Sequence, residues 1–90
     1  MGHSLLHVAA CKNFAKLGLI LLQNKLINTE QRDCKGWTSL HMACYCNSLD
    51  VVVLLRDYGA DIQACDEDGL MPMYMTEDPL VKDILYDVSL

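Results

Sequence analysis

The sequence predicts an all-α protein, a solenoid of about two and a half helix-turn-helix repeats with hairpin loops between them. An octapeptide, Gly-His-Ser-Leu-Leu-His-Val-Ala at residues 2–9, returns as Gly-Trp-Thr-Ser-Leu-His-Met-Ala at residues 36–43, at an interval of 34. A degenerate copy, Gly-Leu-Met-Pro-Met-Tyr-Met-Thr at residues 69–76, follows after a further 33. Each copy starts with glycine and is followed by a second apolar segment, the pattern of a turn and two short helices. We expect one domain over residues 1–90, with repeats at about 2–35, 36–68 and 69–90, the last of them degenerate and capping.

The first helix of a repeat is predicted to begin after a hydroxyl side chain. Ser4 and Thr38 follow the opening glycine by two positions, where a side-chain oxygen can accept a hydrogen bond from the helix N-terminus. In the second copy Leu40, Ala43 and Cys44 are spaced i, i+3, i+4 and form one apolar face. The two small residues of this face allow a neighbouring helix to approach closely.

The second helix of a repeat is predicted from its length and its stop signal. Residues 49–58 include a β-branched run that by itself also fits a buried strand, but Gly59 follows at the position where helices end. Residues 14–22 form the corresponding helix of the first copy, and residues 24–32 a longer connection. The repeat therefore favours helices in both places.

The third copy is predicted to be shortened. Pro79 interrupts it near the inter-helix turn and leaves residues 80–88 as a terminal helix. Leu80, Ile84 and Val88 are expected to form the apolar face of this helix. Such a helix suits the end of a solenoid, which needs one polar face.

Charge is distributed unevenly along the chain. The net charge of −5 divides into +3 over residues 1–45 and −8 over residues 46–90. A nucleic-acid-binding protein would show a basic stripe, so this class is excluded, and the acidic half suits a basic patch on a protein partner. Because 52% of the residues are hydrophobic, the chain is apolar enough to fold and is not a disordered tail.

The cysteines indicate a reducing compartment. Five cysteines form an odd set without a disulfide framework, and no convincing signal peptide precedes them. We also find no lipidation motif and no apolar segment long enough to span a bilayer. The expected location is the cytoplasm, with the nucleus as an alternative, and no membrane partner is expected.

In this register the second copy resembles the ankyrin repeat, whose pattern joins a Gly, a Thr-Pro-Leu-His-x-Ala helix start, a Val-Val-x-Leu-Leu helix and a Gly-Ala-Asp hairpin approach. The matching positions are Gly36, Thr38, Leu40, His41, Ala43, Val51, Val52, Leu54, Leu55, Gly59, Ala60, Asp61, Ile62, Ala64, Asp66 and Gly69. Leu5 stands where Pro is usual in the first copy, and Met71 and Tyr74 replace the Thr and His of the third. The resemblance implies a protein-interaction module, a scaffold or adaptor.

A narrower resemblance concerns the third copy. Its Asp-Gly-Leu-Met-Pro segment at residues 68–72, with the acidic pair at 77–78 and Asp-Ile-Leu at 83–85, is similar to the last ankyrin repeat of protein phosphatase 1 targeting subunits. This implies a regulatory subunit that binds a protein phosphatase catalytic subunit. Those subunits hold the phosphatase through a basic-Val-x-aromatic motif, and we find no such motif in this sequence.

The residues that could carry chemistry have simpler structural interpretations. Cys44 and Cys46 form a Cys-x-Cys on a predicted helix with no second pair at zinc spacing, and Cys44 suits a buried core position. His7 and His41 recur at the repeat interval, so we expect them to hydrogen-bond near the Ser4 and Thr38 caps. We therefore expect no enzyme, no metal and no cofactor.

Large apolar residues at variable positions predict a protein-binding surface. In the family, partners meet the hairpin tips and the outward side of the first helices. Carried over by position, the predicted binding residues are Lys35, Trp37, Met42, Tyr45, Asp68, Leu70 and Met75. Trp37 is the expected anchor, because aromatic side chains dominate interface energies. The alternative is that these residues pack against further repeats, and that the chain is a truncated, non-functional fragment of a longer ankyrin protein.

Overall fold

The computed structural model describes residues 4–24 and 27–85, and these residues form helices and turns. The helices are α1 (Leu5–Lys12), α2 (Ala15–Gln23), α3 (Ser39–Tyr45), α4 (Leu49–Asp57) and α5 (Pro79–Leu85), with a 3₁₀ segment at Pro72–Met75 between α4 and α5. None of the described residues lies in a β-strand. The all-α prediction is confirmed.

The first two repeats begin with the same hydrogen-bonded cap. Ser4 precedes α1, and its hydroxyl accepts a hydrogen bond from the backbone N–H of His7, while the His7 side chain accepts one from the backbone N–H of Ser4. Thr38 and His41 make the same reciprocal pair at the start of α3. Each pair satisfies two backbone donors that a helix N-terminus otherwise leaves without partners.

The turn between the paired helices is also repeated. Asn13 and Asn47 adopt left-handed backbone angles, with φ values of 55° and 54°. Asparagine tolerates this conformation better than most residues with a side chain. This backbone geometry reverses the direction of the chain, so that α2 packs against α1 and α4 packs against α3.

The core lies between successive helix pairs. Helix α3 packs against α1 on one side and the 3₁₀ segment on the other, while α4 packs between α2 and α5. Leu40, Cys44, Val51 and Leu55 are fully buried at the centre of this arrangement. The β-branched run of α4 is therefore helical because its apolar side chains fill the space between neighbouring repeats, which outweighs their modest helix propensity.

The third repeat differs from the sequence-based expectation. Pro79 is the first residue of α5 instead of lying just before it. At the first helical position the missing backbone N–H of proline removes no intrahelical hydrogen bond. The expected apolar face was wrong at Leu80, which is 60% exposed, whereas Ile84 packs partly buried against the core as expected. Val81 and Leu85, which were not expected on this face, are buried. The adjacent apolar pairs at residues 80–81 and 84–85 are compatible with two helix faces. Packing against α4 buries the face that contains Val81 and Leu85. Val88 lies outside the described residues.

In the described part of the chain, no helix is both long and apolar enough to cross a membrane.

Candidate protein-binding surface

Each hairpin tip is a turn closed by an aspartate. The Asp33 carboxylate accepts hydrogen bonds from the backbone N–H groups of Lys35, at 2.8 Å, and Trp37, at 3.0 Å. Gly36 completes this turn with a φ of 77°, a conformation that favours glycine. The turn fixes the direction in which Trp37 leaves the tip.

The next tip repeats this turn. The Asp66 carboxylate accepts from the N–H groups of Asp68, at 2.8 Å, and Leu70, at 2.9 Å, and Gly69 has a φ of 80°. These bonds, above all the one from Leu70, lower the pKa of Asp66, with burial acting in the opposite direction. Asp66 is therefore a carboxylate at neutral pH.

Trp37 connects the two tips. Its indole N–H donates to the Asp66 carboxylate at 3.1 Å. Its ring lies 5.2 Å from the ring of Tyr45, between centroids, and the Lys35 ammonium lies 5.3 Å from the Trp37 ring centroid. These contacts fix the position of the Trp37 ring, and they include a cation–π interaction with Lys35.

The two repeated histidines join consecutive repeats. The ring Nε2 of His7 lies 2.8 Å from the Trp37 carbonyl, and that of His41 lies 2.8 Å from the Leu70 carbonyl. Because a carbonyl can only accept, Nε2 is the protonated nitrogen, and Nδ1 accepts from the cap residue. The expectation that these histidines bond near the caps is confirmed, and each ring also reaches the next repeat.

Two neighbouring grooves result from this geometry. The first, of about 410 Å³, lies between the tips and is lined by Cys34, Lys35, Trp37, Tyr45, Asp66, Glu67, Asp68, Leu70, Tyr74 and Met75. The second, of about 470 Å³, extends toward α1 and is lined by Cys11, Asp33, Cys34, Lys35, Trp37, Met42, Tyr45 and Cys46. Lys35, Trp37 and Tyr45 belong to both, so the grooves form one continuous surface, here called the tip groove.

The structure brings the seven sequence-predicted residues together in the tip groove. Lys35, Trp37, Tyr45, Asp68, Leu70 and Met75 line its first part, and Met42 lines the second. Tyr45 and Leu70 are exposed, at 62% and 39%, while Trp37 is half-buried by the contacts described above. Trp37 is therefore part of the hairpin structure as well as of the surface.

Sequence reasoning missed Tyr74 as a groove residue. Tyr74 occupies the repeat position of the buried His7 and His41, yet its side chain is 59% exposed and lines the groove. The third repeat has a 3₁₀ segment where the others have an α-helix, so its residues follow a tighter spiral and turn a different side outward. The missing cap threonine at Met71 is the sequence signal that could have indicated this.

No chemical centre is assembled from the described residues. No group of three or more His, Cys, Asp or Glu side chains among them is arranged to hold a metal ion. Cys44 is fully buried, and burial raises the pKa of its thiol to about 12. Glu67 and Asp68 are exposed at a hairpin tip, where solvated charge is ordinary.

A stack of helix pairs whose tips and first helices form a groove defines a repeat-type scaffold of the kind used for protein interaction. A family model described as ankyrin repeats (3 copies) matches residues 1–66. The chain belongs to the ankyrin-repeat family, whose repeats are protein-interaction modules.

Several curated proteins and solved structures are similar to this chain. Human BCL-6 corepressor is 36% identical over 67 residues, which cover 74% of this chain and 4% of that protein. Mouse protein phosphatase 1 regulatory subunit 27 is 42% identical over 55 residues, covering 61% of this chain and 35% of that protein. The crystal structure of the ankyrin repeat domain of Bcl-3 matches with a TM-score of 0.87 and 28% identity, covering 93% of this chain and 36% of that one. The chain thus spans only a small part of its longer relatives.

Proposed function

We propose that this chain binds another protein through the tip groove, as a scaffold or adaptor and without catalytic activity. The observation that carries the proposal is the group of exposed apolar side chains around one concave surface, with Tyr45, Leu70 and Tyr74 each more than a third exposed. Exposed apolar clusters of this kind mark interaction sites. The proposed location is the cytoplasm, or alternatively the nucleus.

The charge of the groove supports a proposal about the kind of partner. Asp66, Glu67 and Asp68 line it together with the single cation Lys35, and Lys35 lies over the Trp37 ring. The formal charge of these lining residues is negative, so the occupant that fits is a protein segment with an apolar or aromatic side chain beside a Lys or Arg. The apolar side chain supplies most of the buried area, and the charges favour the correct orientation.

A direct test is selection of binding peptides from a random display library, followed by affinity measurements on chain variants. Tyr45→Ala and Leu70→Ala should each weaken the selected peptides at least about tenfold, and Trp37→Ala, which removes the anchor, by about thirtyfold, or 2 kcal/mol. Tyr58→Ala is the matched control, since Tyr58 is 43% exposed at the end of α4, away from the groove. Circular dichroism of every variant shows whether the fold is retained.

Two results would contradict this proposal. One is a selected set of peptides without basic residues whose affinity is unchanged in Glu67→Gln and Asp68→Asn. The other is equal loss of binding in Tyr45→Ala and Tyr58→Ala. Trp37→Ala removes the bond to Asp66 as well as the groove surface, so the decision rests on the Tyr45 and Leu70 variants.

A second candidate partner is a protein phosphatase catalytic subunit. It is favoured by the similarity to protein phosphatase 1 regulatory subunit 27. Purified phosphatase 1 catalytic subunit can be titrated against the chain and its Tyr45→Ala variant by calorimetry. Binding that is lost in the variant supports this partner, and no heat of binding at micromolar concentrations excludes it for this chain.

The alternative interpretation is a fragment whose exposed apolar residues pack on further ankyrin repeats. Leu5 and Ile20 on the first repeat are 62% and 64% exposed, which favours such contacts. Analytical ultracentrifugation of the purified chain distinguishes the fragment from the binding module. Self-association that is abolished by Ile20→Lys favours the fragment. A folded monomer favours the binding module.

A further inference from the structure

Two cysteines from neighbouring repeats meet at the α1 side of the tip groove. Cys11 lies in the last turn of α1 and Cys46 caps the C-terminus of α3, and their sulfur atoms are 3.6 Å apart. The two helices pack directly against each other. A disulfide requires about 2.05 Å between sulfurs, so small side-chain movements would close the distance.

The environments of the two thiols differ. Cys11 is exposed and open to reagents, whereas Cys46 is half-buried. Burial, and then the hydrogen bond to Cys11, raise the pKa of Cys46 to about 11. Near neutral pH Cys46 therefore keeps its proton and directs its S–H at the Cys11 sulfur, which leaves Cys11 as the sulfur that meets a solvent reagent first.

The other cysteines provide internal comparisons. Cys44 is fully buried in the core. Cys34 and Cys65 are exposed on hairpin tips, and Cys34 lines the same groove as the pair. Cys34 thus has similar access to solvent, which makes it a suitable control.

We propose that Cys11 and Cys46 form a reversible dithiol–disulfide site that exchanges with small-molecule disulfides of the glutathione type. The Cys11 thiolate attacks one sulfur of glutathione disulfide, the bond between the two glutathione sulfurs breaks, and one glutathione thiolate leaves. Cys46 then loses its proton to solvent and attacks the Cys11 sulfur, and the second glutathione thiolate leaves. Two protein thiols are oxidised to one disulfide, one glutathione disulfide is reduced, and the protons that the protein releases are taken up by the two leaving thiolates.

The second step is favoured because it takes place within one folded molecule. The attacking and attacked sulfurs are already adjacent, and this proximity compensates for the small thiolate fraction of Cys46. The product links the first helices of consecutive repeats. The proposal is independent of which protein, if any, occupies the tip groove.

The test equilibrates the full chain in glutathione buffers, traps the free thiols by acid quench and alkylation, and maps disulfides by tryptic mass spectrometry. Trypsin places Cys11 in the peptide 1–12 and Cys46 in the peptide 36–56. The expected cross-link joins these two peptides in the wild type and in Cys34→Ser, and is absent from Cys11→Ser and Cys46→Ser. The last variant also excludes Cys44 as the partner in the second peptide.

The second measurement compares disulfide formation in the folded and the denatured chain. In denaturant the link should form about tenfold less readily, a difference of about 30 mV in midpoint potential. Oxidation should raise the thermal midpoint of the wild type and Cys34→Ser by about 10 °C or more, and leave Cys46→Ser unchanged. If Cys46→Ser loses its helical circular dichroism, Cys11→Ser gives the same comparison, because that side chain is exposed. Glutathione adducts without the cross-link, or a link equally frequent in denaturant, would overturn the proposal.

Discussion

At the scale of single residues, one buried hydroxyl has no hydrogen-bond partner within residues 4–24 and 27–85. Ser39 is the first residue of α3 and is 1% exposed, and no hydrogen bond to its side-chain oxygen is found among the described residues. Pro72 occupies the corresponding position of the third repeat, also buried. A proline at the first helical position loses no intrahelical bond, and Thr38 already has the extended backbone angles that precede proline well.

We therefore predict that Ser39→Pro stabilises the chain by about 1 kcal/mol. The change removes an unsatisfied buried hydroxyl and restricts the unfolded chain. Urea unfolding followed by circular dichroism measures the difference, with Ser39→Ala as the control for removal of the hydroxyl alone. A lower stability of the proline variant would mean that the ring does not fit between the repeats.

At the scale of elements, the hairpin tips are held together across repeats. Arg32 donates from one guanidinium nitrogen to the carbonyl of Gly36, at 2.8 Å, and to that of Cys65 in the next tip, at 2.5 Å. The backbone of the two tips also comes close at Gly36. A Cβ added there would lie 2.9 Å from the backbone nitrogen of Glu67, whereas one added at Gly69 would meet nothing within 4 Å.

This difference predicts unequal effects of two otherwise matched substitutions. Both glycines have positive φ, so alanine costs about 1–2 kcal/mol at either position. Gly36→Ala should cost at least about 1 kcal/mol more, because it also separates the stacked tips. Denaturant midpoints of the two variants give the comparison, and equal losses would show that the tips do not pack as closely as described.

At the scale of the whole molecule, the repeats form a linear stack in which each contacts its neighbours. The His7 ring reaches the second repeat through the Trp37 carbonyl, and the His41 ring reaches the third through the Leu70 carbonyl. His41 is fully buried, and burial lowers its pKa below 6.5 despite opposing contributions from the Leu70 carbonyl and Asp66. The folded stack thus favours the neutral ring, whose Nδ1 accepts from Thr38.

The expected consequence is a loss of stability in mild acid. A histidine whose folded pKa is lowered stabilises the fold fully above its unfolded pKa, near 6.5, and that contribution is lost as the pH falls from there toward the folded pKa. The contribution of His41 to the free energy of unfolding should therefore be flat above pH 7.5 and decrease below pH 6.5, by at most about 1.4 kcal/mol per pH unit. Urea unfolding at several pH values measures how the free energy of unfolding changes with pH. An NMR titration of the His41 ring shows whether this residue causes the change. A His41 ring that titrates at or above pH 6.5 would contradict the assignment.

The repeat architecture follows from the amino-acid sequence alone. The recurring octapeptide, the Ser4 and Thr38 caps and the stop at Gly59 are local signals, and each acts through hydrogen bonds or backbone angles within a few residues of itself. The seven predicted surface residues also lie together, because a fixed repeat interval places equivalent positions side by side.

Which side chains are buried depends on contacts between distant parts of the chain. Trp37 is half-buried, and its indole N–H is bonded to Asp66, which lies 29 residues away in the chain. Val81 faces inward instead of Leu80 because α4 packs on that side, and Tyr74 faces outward because its segment is a 3₁₀ turn. The contact between Cys11 and Cys46 likewise depends on how two helices align. Burial and long-range contacts of this kind depend on residues far apart in the chain, and periodicity within one repeat carries no information about them.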